Sequence, residues 1–126
     1  MLSANLEFGK AAENAAARFL KAKGYKILER NYKNKFGEID IIAQQKGVIC
    51  FLEVKARHSL DHGTPQEAVS LSKQRQISRV AVDYLKSRNL LEHPARFDVL
   101  ALLYSNNQPQ VSLIVDAFEL SANFTV

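Results

Sequence analysis

The sequence predicts an α/β fold in which a mixed central sheet is flanked by helices. Three observations carry this prediction: an alanine-rich helical periodicity near the start, three apolar segments of strand length at short spacing, and a second helical stripe followed by two more strands. The resulting order is α-β-β-β-α-β-β. The chain has 126 residues and no repeat, low-complexity tract or long linker, so we predict one domain spanning residues 1–126.

The first helix is predicted over residues 4–23. Its apolar positions recur at helical spacing, and alanine has the highest helix propensity of all residues. These positions are Ala11, Ala12, Ala15, Ala16, Phe19 and Leu20. Gly24 follows two lysines at the end of this pattern, which is typical of a helix C-terminus, so we expect the helix to stop there.

Three strands are predicted next, over Tyr25 to Tyr32, Glu38 to Gln44 and Val48 to Ala56. They are separated by two turn-like segments, Asn34 to Gly37 and Gln45 to Gly47. Because both connections are short, the three strands are expected to form an antiparallel meander.

Residues 57–64 are a predicted polar loop, and Thr64-Pro65-Gln66-Glu67 has the pattern of a helix capping box. A short helix and a longer one are expected after it, up to about Arg88. The longer helix has an apolar stripe formed by Ile77, Val80, Ala81, Tyr84 and Leu85. Strands follow over Arg96 to Tyr104 and Gln110 to Val115. The helical crossover lets the fourth strand run parallel to a neighbour.

Net charge and the absence of targeting signals limit the binding partners and the cellular compartment that the sequence predicts. A formal net charge of +4 is compatible with a polyanionic partner but is weak support by itself. The single cysteine, Cys50, lies in an apolar run and is interpreted as a buried small hydrophobe. The start of the chain does not have the pattern of a signal peptide, and no apolar run is long enough to span a membrane. We therefore predict a cytoplasmic protein without a membrane partner.

Two acids lie inside strongly apolar strands, where an unpaired carboxylate is costly. A hairpin loop at residues 45–48 places Gln44 opposite Ile49, and Asp40 then faces Glu53. Carboxylates on directly opposite residues repel each other unless a cation lies between them. Carboxylate oxygens suit Mg²⁺ or Mn²⁺, so the pair predicts a metal site.

Lys55 shares a strand face with Glu53 and completes a chemical unit. A metal held by two acids polarises a phosphoryl oxygen, and a nearby lysine orients water or offsets charge on the phosphate. The alternative is a salt-bridged polar patch on an exposed sheet face, and the residues alone leave both open. Glu13 borders the apolar face of the first helix and either points toward the metal or is solvated.

Basic residues near the strand ends and on the long helix are candidates for phosphate contacts. Lys73 and Arg57 are favoured, with Lys35 as a third, and the alternative is that they are solvated. His58 and His62 are four residues apart in a predicted loop and do not make a zinc site without further ligands.

The motifs taken together resemble those of the bacterial YraN-like family. They are Gly9-x-x-x-Glu13, Gly24-Tyr25, Asn31, Gly37-Glu38-Ile39-Asp40, Glu53-Val54-Lys55-x-Arg57, Gly63, Lys73, Arg96-Phe97-Asp98-Val99 and Ala117-Phe118. That family is placed in the PD-(D/E)xK nuclease superfamily and is similar to archaeal Holliday junction resolvases. One departure is visible, since Ile39 stands where the superfamily name has proline.

The resemblance implies a restriction-endonuclease-like α-β-β-β-α-β core. It makes Asp40 and Glu53 the metal carboxylates, Lys55 the catalytic lysine and Glu13 an accessory acid. The function it implies is that of an endonuclease, dependent on Mg²⁺ or Mn²⁺, that acts on DNA phosphodiesters at structured or branched sites. The alternative is a nucleic-acid-binding module of nuclease fold without significant cleavage. A homodimer is expected only by analogy with resolvases.

Overall fold

The structure, a computed structural model, describes residues 2–58 and 69–121, and of residues 2–5 the backbone alone. Within these ranges the elements are α1 (Leu2–Ala22), β1 (Lys26–Asn34), β2 (Gly37–Gln45), β3 (Val48–Arg57), α2 (Leu71–Ser87), β4 (Ala95–Ser105) and β5 (Gln108–Phe118). The predicted α-β-β-β-α-β-β order is confirmed. The predicted capping box at residues 64–67 and the short helix after it lie outside the described residues, as do His62 and Gly63.

The strands form one mixed sheet in the order β1-β2-β3-β4-β5. β1, β2 and β3 are the predicted antiparallel meander. β3 and β4 are parallel, as expected from the helical crossover between them, and β5 returns antiparallel to β4. This arrangement fits a restriction-endonuclease-like core, so the predicted fold class is confirmed.

Local hydrogen bonds define the end of α1 and the start of α2. At the end of α1, Gly24 adopts a φ of +90° and the Tyr25 amide bonds to the Leu20 carbonyl at 2.9 Å, which together form a Schellman motif. α2 begins after Ser70, whose hydroxyl accepts a hydrogen bond from the Lys73 amide. Neither helix has the length and apolar character that crossing a bilayer demands in the described part of the chain.

Each helix covers one face of the sheet, so the chain has two apolar clusters. On the α1 face, the helix residues Ala12, Ala16 and Leu20 pack on Ile41, Ala43, Cys50, Leu52, Leu100 and Leu102. On the α2 face, the predicted stripe Ile77, Val80, Ala81, Tyr84 and Leu85 packs on Ile39, Ile42, Ile49, Phe51, Phe97 and Val99. Cys50 is fully buried, as predicted. Each fully buried Leu, Ile, Val or Phe side chain contributes about 1.5–3 kcal/mol. β3 is the middle strand of the sheet and carries buried side chains on both faces.

The structure corrects several predicted strand boundaries, chiefly in β1, which ends at Asn34 and not Tyr32, and in β5, which ends at Phe118 and not Val115. Tyr25 is not part of β1, because its amide completes the end of α1. β5 begins at Gln108 rather than Gln110, because Asn106 and Asn107 both have positive φ and close a two-residue hairpin turn. The predicted turn over residues 105–109 is therefore too long.

The pairing of β2 with β3 ends before the strands do. The predicted register is confirmed, with Gln44 opposite Ile49 and a two-residue turn at residues 46 and 47. The last paired residues are Ile41 and Leu52, although β2 begins at Gly37 and β3 continues to Arg57. The two strands therefore separate, and the candidate site lies in the opening.

Candidate active site

Asp40 occupies the position where β2 and β3 separate. Its Oδ2 accepts a hydrogen bond from the Val54 amide at 2.8 Å. In a continuing ladder that amide would bond to a backbone carbonyl of β2, so the carboxylate replaces a backbone acceptor. The side chain is held in the opening between the strands, because a bond to a charged acceptor is stronger than a neutral one.

Glu53 lies beside this opening and is more deeply buried. Its side chain is 6% exposed, and it shares the α2 face of β3 with Phe51. Its Oε2 is buried and has no hydrogen-bond partner among the described residues. Among the described residues it forms a salt bridge with Lys73, whose Nζ lies at 3.6 Å, slightly too far for a hydrogen bond. A buried carboxylate oxygen without a donor is costly, and its presence requires an explanation.

The two carboxyl groups interact, although the predicted direct pairing of Asp40 with Glu53 is not formed, because the ladder ends at Ile41 and Leu52. The pKa of Asp40 is raised to about 7, chiefly by burial and then by the hydrogen bond and negative charge of Glu53. The Val54 amide and the Lys73 charge oppose this rise in pKa. Near neutral pH, and without a cation, Asp40 is therefore partly protonated.

The donor set fits a divalent metal ion. Asp40 and Glu53 offer paired carboxylate oxygens, and one Glu53 oxygen receives no hydrogen bond from the described residues. The pKa of Asp40 is raised first by burial and then by the hydrogen bond and negative charge of Glu53, and a cation would offset that charge. In residues 2–58 and 69–121 no group of three or more His, Cys, Asp or Glu side chains is placed to hold a metal. Mg²⁺ is commonly held by one or two carboxylates, with water and substrate phosphate completing its shell, so two acids suffice.

A pocket of about 960 Å³ opens on the α1 side of this region. Its lining residues include Glu13, Asn14, Arg30, Asn31, Asp40 and Lys55. Three of the four predicted catalytic residues therefore share one pocket. Glu53, the fourth, is not part of the lining that the structure describes, since its side chain lies toward α2.

Glu13 reaches the pocket but is bound to β1. Its Oε1 accepts hydrogen bonds from Arg30 at 3.1 Å and from Asn31 at 2.8 Å. Asn31 has a left-handed φ of +51°, which turns its side chain out of the regular alternation of the strand. Asn14 also accepts from the Arg30 guanidinium, at 2.6 Å. No period in the sequence predicts this network, although asparagine is among the residues enriched at positive φ.

Lys55 is one of three basic residues that line the pocket, with Lys10 and Arg30. It forms no salt bridge with any residue that the structure describes. The other predicted phosphate ligands are more scattered. Arg57 ends β3, and Lys35 lies at the β1–β2 turn with its ammonium 5.2 Å from the centre of the Phe36 ring. Lys73 is partly exposed to solvent and forms a salt bridge with Glu53.

An aromatic cluster borders the pocket and was not predicted. The Phe8 ring, which lines the pocket, stacks on the His58 ring with centroids 4.6 Å apart. The centre of the Tyr104 ring lies 5.0 Å from that of Phe8 and 6.3 Å from that of His58. His58 therefore packs against α1 instead of lying free in a loop. The spacing of His58 and His62 gave no signal of this contact.

Asp98 belongs to the core and not to the pocket. It is fully buried, accepts hydrogen bonds from Arg96 at 3.0 and 3.1 Å, and accepts one from the Asp116 amide. Arg96 also donates to the Tyr25 hydroxyl. The network ties β4 to β5 and to the end of α1, which is a structural role.

Comparison with known proteins identifies the family. The model of "Uncharacterised protein family UPF0102" matches residues 12–102. This chain belongs to that family. The match includes Glu13, Asp40, Glu53, Lys55 and Lys73, and the family-level resemblance drawn from the motifs is confirmed.

Individual UPF0102 relatives cover nearly the whole chain. A UPF0102 protein of Syntrophus aciditrophicus is 46% identical over 120 residues, which are 95% of this chain and 94% of the relative. One of Geobacter metallireducens is 44% identical over 117 residues, which are 93% of this chain and 96% of the relative. One of Rhodococcus opacus is 42% identical over 115 residues, which are 90% and 98%.

Proposed function

We propose that this UPF0102 protein is a metal-dependent nuclease of the PD-(D/E)xK type that hydrolyses DNA phosphodiester bonds. The observation that carries the proposal is the Asp40–Glu53 pair, in which a half-buried and a buried carboxyl group interact and one Glu53 oxygen receives no hydrogen bond from the described residues. A protein that only binds nucleic acid gains nothing from two acids that repel each other, whereas a metal site requires them.

In the proposed reaction a water oxygen bonds to phosphorus, one P–O ester bond breaks, and the leaving oxygen receives a proton. Asp40 and Glu53 would hold Mg²⁺ or Mn²⁺, which polarises a phosphoryl oxygen and lowers the pKa of bound water. Lys55 lies in the same pocket as Asp40, so its ammonium can offset charge that develops on the phosphate oxygens.

The remaining pocket residues position the substrate. Glu13 and Asn14 hold the Arg30 guanidinium at the pocket wall, and a pre-oriented guanidinium is a good phosphate ligand. In this proposal Glu13 is an accessory acid that acts through Arg30 and Asn31. Arg57 and Lys35 would contact phosphates beyond the pocket. Branched DNA as substrate and a homodimer as the active unit extend the proposal by analogy with resolvases.

Cleavage assays with purified protein test the proposal. Duplex, single-stranded and four-way-junction DNA would be incubated with Mg²⁺ or Mn²⁺, beside the variants Asp40→Asn and Lys55→Ala. Each variant is expected to lower the cleavage rate at least about 100-fold, because each removes charge from the reacting centre. Chelation of the metal with EDTA is expected to abolish cleavage.

Matched control variants separate the site from general charge effects. Glu92→Gln removes an exposed acid, and Lys26→Ala removes an exposed lysine at the start of β1. Both are expected to cut like the wild type. Cutting that survives Asp40→Asn and Lys55→Ala would rule out the site. DNA binding without cutting on any substrate would instead favour a binding module of nuclease fold.

A further inference from the structure

Lys73 is the cation that lies against the carboxyl pair. Its Nζ is 3.6 Å from Glu53 Oε2, the same oxygen that receives no hydrogen bond within residues 2–58 and 69–121. Its positive charge also lowers the pKa of Asp40, so it acts on both members of the pair. The lysine side chain is 35% exposed, whereas that of Glu53 is 6% exposed. The ammonium group therefore reaches a buried carboxylate from the solvent side.

The backbone around Lys73 is held by hydrogen bonds at the start of α2, and the charge lies at the end of a flexible side chain. Its amide donates to the Ser70 hydroxyl at 3.1 Å, and the Gln74 side chain bonds to the carbonyl of buried Val69 at 3.0 Å. One turn later, Ile77 is buried against the sheet. The start of α2 is thus anchored on both sides of Lys73, and a long flexible stem carries the charge from this anchor to Glu53.

An ammonium in this position conflicts with a metal ion. Glu53 Oε2 is buried, so little space is left around it for a second cation. A monovalent and a divalent cation that share one carboxylate also repel each other, and the repulsion is weakly screened at a buried site. Lys73 and a divalent ion therefore compete for the same oxygen.

We propose that Lys73 is the resident counter-ion of the Asp40–Glu53 pair, and that a divalent cation binds only by displacing its ammonium from Glu53. This inference rests on the proposed function, since it takes the pair to be the metal site. The displaced ammonium remains on the surface of α2, where it is available to a phosphate. Metal loading therefore also presents Lys73 to the nucleic acid.

The test measures metal affinity without any turnover. Mn²⁺ binding to the full chain would be followed by isothermal titration calorimetry at pH 8, for wild type, Lys73→Met and Lys73→Arg. Methionine keeps the length and apolar stem of the side chain without its charge. We expect Lys73→Met to bind Mn²⁺ at least about tenfold more tightly, which corresponds to about 1.4 kcal/mol. Lys73→Arg keeps the charge and is expected to bind no more tightly than wild type.

A matched control removes the same charge elsewhere on the same helix. Lys86→Met, at an exposed position in the last turn of α2, is expected to stay within about twofold of wild type. Equal or weaker Mn²⁺ binding by Lys73→Met, with wild type binding normally, would overturn the inference. Failure of every variant and of wild type to bind Mn²⁺ would instead overturn the metal site and the proposed function with it. Circular dichroism checks that each variant is folded.

Discussion

The Asp40 carboxylate accepts a hydrogen bond from the Val54 amide at 2.8 Å, immediately beyond the last paired residues of β2 and β3. This bond holds a half-buried acid in the sheet opening, at the wall of the pocket. Its pKa is raised to about 7 because burial and the neighbouring Glu53 outweigh the stabilising amide and Lys73. The same geometry that prepares a metal site therefore costs folding stability when no metal is bound.

The first prediction concerns pH. The pKa of Asp40 is raised in the folded state, from 3.8 to about 7, so the protonated carboxyl favours folding. Its stabilising effect is complete below about pH 4 and is lost as pH rises to about 7. Without divalent cations, we expect the unfolding free energy of wild type relative to Asp40→Asn to fall by roughly 2 to 3 kcal/mol between pH 5 and pH 8. Urea unfolding of both proteins in EDTA, at pH 5 and at pH 8, measures this difference in unfolding free energy.

Comparison with Asp40→Asn removes the contribution of groups that titrate independently of Asp40. Asparagine keeps a side-chain oxygen that can accept from the Val54 amide but does not ionise in this range. Glu92→Gln, which removes an exposed acid, is the control and should follow wild type at every pH. A constant difference between wild type and Asp40→Asn from pH 5 to pH 8 would contradict a raised Asp40 pKa.

The placement of Asp40 near Glu53 was predictable because it depends on local rules. Lys46 and Gly47 both have positive φ and make a two-residue turn, and such a turn fixes the register of the strands it joins. Once Gln44 pairs with Ile49, counting along the strands brings the two acids together. The burial of α2 was likewise predictable, because its apolar stripe has the helical period.

The partners of Glu13 and Glu53 were not predictable from the sequence. Lys73 is 20 positions from Glu53, and its contact depends on how α2 lies across the sheet. The bonds from Glu13 to β1 depend on the left-handed backbone of Asn31, and no period in the sequence reveals such a position. Tertiary packing decides both sets of contacts, so the sequence indicates candidate residues but does not reveal the partners of Glu13 and Glu53.

The second prediction separates the fold from the site at Asp98. Asp98→Ala leaves the Arg96 guanidinium without its carboxylate and the Asp116 amide without its acceptor. Because Asp98 is fully buried, we expect a loss of about 3 kcal/mol in unfolding free energy. Denaturant titration measures this loss, and Glu92→Ala is the exposed control. An unchanged unfolding midpoint together with lost cleavage would mean that Asp98 belongs to the active site.

The third prediction concerns Gly37, where β2 begins. Its φ of +147° is rarely adopted by residues with a side chain, and an added Cβ would lie 2.8 Å from the side chain of Gln76. That side chain is flexible and can move, so backbone strain decides the outcome. We expect Gly37→Ala to lower the unfolding free energy by about 1 to 3 kcal/mol, measured by thermal unfolding.

Gly9 provides the matched control for Gly37. It lies within α1, and nothing within 4 Å obstructs an added Cβ. Gly9→Ala should therefore leave the protein unchanged or stabilise it by up to about 1 kcal/mol, because alanine favours a helix more than glycine does. Equal effects of the two substitutions would show that the backbone at Gly37 is not strained.

The fourth prediction tests the phosphate ligands by the salt dependence of binding. If Arg57 and Lys35 each neutralise one DNA phosphate, removing either should reduce the slope of log K against log salt by about 0.9. Affinity of Arg57→Ala and Lys35→Ala for duplex DNA would be measured by fluorescence anisotropy at several salt concentrations, in Ca²⁺ to limit cutting. Lys26→Ala, an exposed lysine at the far end of β1, serves as the control and should keep the wild-type slope. A loss of slope in all three variants would indicate that net charge, and not a defined phosphate path, attracts the DNA.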